Sequence, residues 1–360
     1  MPEPAHDRPK PLMESTIGAL LAPGKGILAT DESLPTISKR FAALNIPCTE
    51  ANRLAYREML FSTSGIGDFI SGVILFDETL HQRMSDGTPM PEALARRGII
   101  TGIKVDTGTV PLANAPHEVI TQGLDGLRER LIIYRGCGAR FTKWRAVLSI
   151  GETLPSHACV AAQANALALF AALSQEAGLV PLVEPEVLMD GSHTIERSEA
   201  VATAVLRRVF ASLAEQGVML EHLLLKVGMI LPGSRHPEQA SVAQVAEATL
   251  RCLRCAVPAA VPGIVFLSGG QGDKIATQRL NAICHPGNAP WRLSFSFGRA
   301  LQAPALALWN ESGAHDPEAQ AALLHRVQCN SNAIKGVYSP ELEKFQIGTS
   351  QHARNPDHDR

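Results

Sequence analysis

At 360 residues, with 45% hydrophobic and 19% charged side chains, the chain has the make-up of a folded globular protein and not of a disordered one. Lys and Arg number 33 against 35 Asp and Glu, so no overall field favours nucleic acid or an anionic membrane, and any basic patch must be local. The length exceeds the common single-domain range but suits a closed α/β barrel of about 250 residues carrying insertions.

The first ten residues, MPEPAHDRPK, contain no apolar signal core, and no run of about eighteen uncharged apolar residues reads as a membrane span. A cytoplasmic protein is expected. Short β-rich apolar runs then recur along the chain, each closing on polar or glycine residues. In order they begin with GILATDES ending at Ser33, ISGVILFDET near Asp77, GIITGIKVD around Lys104 and ARFTKWRAV around Lys143. They continue with LVPLVEPEV around Glu184, HLLLKVGMI around Lys226, PGIVFLSGG near Ser268 and RLSFSFGRA near Arg299. Helical spacing of apolar residues marks the stretches 50–61, 116–134, 156–177, 195–216 and 237–255.

This alternation without a linker predicts a single-domain (β/α)8 TIM barrel. The alternative is an open doubly wound sheet, whose dinucleotide-binding version places G-x-G-x-x-G after the first strand; past Leu28 the chain reads ATDESLPT instead. The expected layout is an N-terminal extension and first helix over 1–21, the barrel over 22–336, and a polar, mobile tail over 337–360.

Seven cysteines, an odd number scattered through apolar stretches, suit buried reduced thiols better than a disulfide framework. Cys252 and Cys255 form a C-x-x-C, but near the end of a helical run, away from the dipole that would activate a thiol. No metal set stands out: among twelve histidines none forms H-x-x-x-H or H-E-x-x-H, and metal-assisted chemistry is disfavoured.

Polar residues gather at the C-terminal ends of the strand runs, several as pairs two apart: Asp31 with Ser33, Lys104 with Asp106, Lys143 with Arg145, Glu184 with Glu186. Alternation along a strand points both members of a pair to one side, and in a barrel that side is the interior or the mouth. Lys226 sits in an apolar stretch, where burial favours the neutral amine that attacks carbonyls, with Lys143 and Arg145 placed to add cationic repulsion. Read alone it is a lysine snorkelling at a strand end. Glu184 and Asp31 are candidates for proton transfer, with ordinary readings as an inter-strand ion pair and a helix cap. Ser268-Gly269-Gly270 and Gly298-Arg299 close the seventh and eighth runs, where barrels often bind phosphate. Ser33, Thr36 and Lys104 are available for a second phosphate; capping of a helix starting near Ile37 and pairing with Asp106 are their plain alternatives.

From about Ala22 to about Gly336 the ordered motifs APGKGILATDES, GVILFDETL, GIKVD, TQGLDGL, KWR, VEPE, LLLK, FLSGGQ and FGRALQ make the chain resemble class I fructose-1,6-bisphosphate aldolase. The resemblance implies a Schiff base on Lys226, no cofactor and no metal, and usually a homotetramer. It implies Glu184 as general acid/base with Glu186 beside it, Asp31 assisting bond cleavage, and Lys143 as the cation near the reacting carbons. Arg145 would support substrate charge. Ser268, Gly269, Gly270, Gly298 and Arg299 would hold the 1-phosphate, with Ser33, Thr36 and Lys104 at the far phosphate. Three departures stand out. Val227 and Gly228 follow the lysine where the family carries proline and asparagine, and Thr36 stands for a serine of the animal enzymes. The chain ends in His358-Asp359-Arg360, without the terminal tyrosine those enzymes use, so its tail is expected to matter less for carbanion protonation. A Schiff-base aldolase for a single-phosphate ketose and a non-catalytic sugar-phosphate sensor are the rival readings.

Overall fold

The computed structural model describes residues 10–309, 311 and 313–344. Eight parallel strands close into a barrel in chain order: β1 (Gly26–Thr30), β2 (Ile70–Leu75), β3 (Ile100–Lys104), β4 (Phe141–Leu148), β5 (Val180–Val187), β6 (Leu224–Val227), β7 (Gly263–Phe266) and β8 (Arg292–Phe297). Closure is made by β8 pairing with β1, Ser296 opposite Ile27. Each run predicted from sequence supplies one strand. They are almost continuously buried because helices cover the outer face while side chains fill the inner one, which is why they read as largely apolar runs in which charged residues such as Lys143, Glu184 and Lys226 stand out.

Side chains pack in two bodies. The larger lies between strands and helices; the smaller fills the barrel interior with Ile27, Ile74, Phe141, Leu182, Leu224 and Val265. Helix Lys10–Leu20 closes the floor by adding Met13, Ile17 and Leu20 to that interior cluster, and the Ser71 hydroxyl donates to the Leu20 carbonyl at 2.7 Å. Phe141 needs room there. A Cβ on Gly102 of β3 would lie 2.2 Å from its ring, so only glycine fits.

The crossover helices begin where the sequence offers capping oxygens: Thr49, Ser156, Thr194 and Ser241 each accept from a backbone N–H three residues on. Ser241 and Gln244 form a reciprocal capping box, so this helix runs Val242–Ala256 and starts after the predicted residue 237. Helix His157–Glu176 is the one described helix long and apolar enough to cross a bilayer, but it packs against β4 and β5 as a crossover, with half of it buried. Cys252 is buried and its thiol is pushed up to about 11 by that burial, in keeping with a core thiol.

One prediction fails. The stretch 116–134 is not a single helix: Val119–Gln122 pairs antiparallel with Gly108–Pro111, and the helix occupies only Leu127–Gly136. Val119, Ile120 and Thr121 are β-branched and favour the extended strand, while Gly123 and Gly126, at φ of +123° and +64°, turn the chain before the helix begins. Of the expected tail, Val337 and the residues up to Lys344 are described and include the turn Pro340–Glu343; residues 345–360, with the expected chain end, lie outside the described residues, as do 1–9.

Candidate active site

A cleft of about 1010 Å³ opens at the C-terminal ends of the strands, and every site residue proposed from the sequence lines it. Register explains the convergence: Lys104 on β3 stands opposite Lys143 on β4, and Arg145 on β4 opposite Glu184 on β5. The pairs two apart therefore enter one site from neighbouring strands.

At its base the charges alternate. Glu184 Oε1 lies 3.2 Å from Lys226 Nζ, and its Oε2 lies 3.4 Å from Lys143 Nζ, an ionic contact without hydrogen-bond geometry. Lys143 is also ion-paired with Asp31. Lys226, Lys143 and Glu184 are 4%, 3% and 3% exposed, which places this row out of bulk water and makes each pairing obligatory. Burial by itself would raise the Asp31 carboxyl, but the Lys143 and Lys226 ammoniums overcome it and hold Asp31 well below the usual carboxylate range. For Lys143 burial works toward the neutral amine, yet Asp31, Glu184 and Asp106 hold it firmly cationic. Lys143 is thus a fixed charge at the base of the cleft.

The two cations expected to repel Lys226 are both paired. Lys143 is enclosed by carboxylates and Arg145 is paired with Glu186, so neither stands as an uncompensated charge. Glu186 reaches the cleft but is engaged by Arg145.

Across the mouth, the β7 and β8 loops meet. Gly269 and Gly270 adopt φ of +53° and +90°, a left-handed pair that turns the chain sharply and suits an anion-binding backbone. A Cβ on Gly270 would sit 3.2 Å from Arg299 Nη2, so the guanidinium already hangs over the glycines. Arg299 opens helix Arg299–Leu308 directly after Gly298, adding the positive end of that helix. Beside the β8 loop, after the neighbouring β1, Ser33 precedes helix Leu34–Ala42, which starts earlier than expected. Its hydroxyl makes no cap and instead lies 3.1 Å from the Thr36 hydroxyl. Lys104 shows its plain alternative, donating to the Asp106 carbonyl at 2.7 Å and pairing with that carboxylate.

The sequence reading missed Arg40, Arg130 and Ser296, which also line the cleft. Arg40 comes from the last turn of helix Leu34–Ala42 and pairs with Glu32; Arg130 comes from the misassigned stretch. Ser296 alternates inward on β8, and its buried hydroxyl has no hydrogen-bond partner among the described residues, which suits it to bind substrate. The period-two pattern of SFSFG was the available signal. Just after β6, a Cβ on Gly228 would meet only Leu267 at 3.7 Å, so packing does not exclude a larger side chain there. The described His, Cys and acid grouping with donor atoms close enough to share a cation is His325, Cys329 and Glu343, none of which lines this cleft.

Residues 13–357 match the family model for class I fructose-bisphosphate aldolase. A probable class 1 fructose-bisphosphate aldolase of Xanthomonas campestris pv. campestris is 53% identical over 325 residues, 90% of this chain and 97% of that protein. The fructose-bisphosphate aldolase of Dictyostelium discoideum is 48% identical over 344 residues, 95% of this chain and 96% of its own. Among solved structures, fructose-bisphosphate aldolase from Plasmodium falciparum, in complex with TRAP and a small-molecule inhibitor, superposes with a TM-score of 0.91 at 45% identity, covering 93% of this chain and 97% of that one. The chain belongs to the class I fructose-bisphosphate aldolase family.

Proposed function

We propose that Lys226 is the amine through which this enzyme cleaves fructose 1,6-bisphosphate, reversibly, into dihydroxyacetone phosphate and glyceraldehyde 3-phosphate, the aldolase step of glycolysis and gluconeogenesis. The observation that carries the assignment is the shared carboxylate: Glu184 holds Lys226 on one oxygen and Lys143 on the other, while Asp31 and Asp106 add to the charge that fixes Lys143 as a cation.

The steps follow from that arrangement. Glu184 takes a proton from Lys226, and the freed amine attacks the C2 ketone to give a carbinolamine. Glu184 returns the proton to the departing hydroxyl, which leaves as water, and the C2 iminium forms. Asp31, ionised beside Lys143, accepts the C4 hydroxyl proton as the C3–C4 bond breaks. The bonding pair flows into the iminium, giving an enamine on Lys226 and releasing the aldehyde. Protonation of the enamine at C3 and hydrolysis release dihydroxyacetone phosphate. The iminium is the electron sink, so no step routes through a cofactor or metal. Lys143 stabilises charge developing on the C4 oxygen, and Arg145 with Glu186 supports the adjoining wall.

Ser268, Gly269, Gly270, Gly298 and Arg299 are assigned to the 1-phosphate, and Ser33, Thr36 and Lys104 to the far phosphate, with Arg40 added from its place on the same wall. Substrate preference tests this. Loss of an ionic anchor worth about 2 kcal/mol lowers kcat/KM for the 1-phosphate ketose by roughly 30-fold relative to the bisphosphate; equal values would favour a single-phosphate aldolase. Borohydride should inactivate only when dihydroxyacetone phosphate is present, and a protein that binds the sugar phosphate yet is neither inactivated nor modified is the sensor. We further infer a cytoplasmic homotetramer. Ile132 and Ile133, 65% and 56% exposed side by side on helix Leu127–Gly136, offer an apolar contact, and the sedimentation coefficient tests the assembly.

A further inference from the structure

Away from the cleft, one cluster of chemistry-bearing side chains is left unused by the reaction. Helix Pro317–Ile334 carries His325 and Cys329 four residues apart, so the two lie one above the other on a single face. The turn Pro340–Glu343 folds back onto that face. His325 Nε2 is 3.6 Å from Cys329 Sγ and 3.9 Å from Glu343 Oε2, and the three donor atoms lie within 4.8 Å of one another. Cys329 is buried, and the His325 and Glu343 side chains are only 14% and 10% exposed, so this is a built interior cluster and not a chance meeting of surface groups.

One edge of this triangle already has the length of a coordination edge. Tetrahedral zinc with an imidazole nitrogen at about 2.05 Å and a thiolate at about 2.3 Å sets those two atoms about 3.6 Å apart. His325 and Cys329 already have that separation. The nitrogen–oxygen edge of the same tetrahedron is about 3.3 Å, so Glu343 has to close by roughly half an ångström. The carboxylate is held from behind for such a role: Arg326 Nη1 donates to both of its oxygens at 2.6 Å, and the Tyr338 hydroxyl donates to Oε1 at 2.8 Å. Asp273 Oδ2, 3.7 Å from Arg326 Nε, offsets the guanidinium charge. Outer partners of this kind orient ligating carboxylates in metal sites.

We propose that His325, Cys329 and Glu343, with one water, form a structural site for a zinc-like divalent cation that staples the C-terminal turn to helix Pro317–Ile334. Nitrogen, sulfur and oxygen donors together select a borderline-soft cation over magnesium or calcium, whose shells are all oxygen. Burial pushes the Cys329 thiol up to about 11, so the cation has to displace its proton. The S–H bond gives way to a sulfur–metal bond and one proton passes to solvent for each cation taken up. The residues are separate from the cleft lining, so the cation supports the fold and takes no part in sugar cleavage.

The test uses the full chain, freed of any affinity tag and stripped with EDTA, then titrated with cobalt(II) and afterwards zinc(II). The expected result is one tight cobalt site with a near-ultraviolet thiolate-to-cobalt charge-transfer band and tetrahedral visible bands, displaced by zinc, with the melting temperature raised and the cleavage rate unchanged. Cys329→Ser removes the band and weakens affinity at least about 100-fold; Glu343→Gln keeps the band and weakens affinity about 10-fold or more. If Cys329→Ser does not fold, His325→Gln must show the same loss of affinity. A wild-type protein without the charge-transfer band, or a band that persists in Cys329→Ser, overturns the site and leaves an ordinary ion-pair cluster.

Discussion

Two lysines lean on one glutamate, and what separates them is the number of carboxylates around each. Asp31 is the residue whose state is most sharply set: burial opposes its charge, and the neighbouring ammoniums reverse that and depress its carboxyl. Its folded value therefore lies below its unfolded one, so the stability it contributes is present above about pH 4 and is lost as the pH falls through the folded value. Between pH 5 and 9 its ionisation does not change. Asp31→Asn should accordingly lower kcat by about 10²- to 10⁴-fold while leaving the limbs of the pH profile in place; a limb that moves or vanishes would mean that the resting ionisation of Asp31 changes with pH in that range. At this scale the sequence was informative because chemistry-bearing residues stood two apart at strand ends. It failed at Arg40 and Ser296, whose types are common and whose approach depends on a helix end and a strand phase.

At the scale of elements, strands were legible because burial on both faces leaves largely apolar runs, with charged residues chiefly where the strand feeds the cleft, as Lys143 and Glu184 do. The hairpin Gly108–Pro111 with Val119–Gln122 was not, since its strands are short, partly exposed and interrupted by turns. Its β-branched Val119-Ile120-Thr121 was the overlooked cue. Inside the barrel, close packing rather than pattern decides: Phe141 fills the space that Gly102 vacates on the neighbouring strand. A methyl at that position must displace an aromatic ring in a closed core. Gly102→Ala should destabilise by about 1–3 kcal/mol in urea unfolding, and an unchanged midpoint would show that the ring has room to move.

For the whole molecule, stability depends on charges buried at the junction of barrel and helices. Glu32, at the end of β1, takes Arg57 Nη2 at 2.5 Å, the Gln302 amide at 2.8 Å and a further ion pair from Arg40, tying helices Glu50–Ser62, Arg299–Leu308 and Leu34–Ala42 to the strand. Burial would raise the Glu32 carboxyl, but Arg57 and Arg40 bring it below the ordinary glutamate range. The unfolded chain therefore binds the proton first, and this contribution is fully present above about pH 4.5 and drains away on acidification. Glu32→Gln should lose stability at pH 7, about 3–5 kcal/mol with Arg57 left unpaired, and show a shallower acid dependence below pH 4.5. Acid dependence equal to that of the wild type would remove Glu32 from this role.

The central claim is that Lys226, and not its cationic neighbour, carries the substrate. Reduction of the enzyme with borohydride in the presence of dihydroxyacetone phosphate, followed by peptide mapping with tandem mass spectrometry, tests it most directly. The added mass should fall on the peptide bearing Lys226 alone; adduct on Lys143 or Lys104, with Lys226 unmodified, would contradict the account.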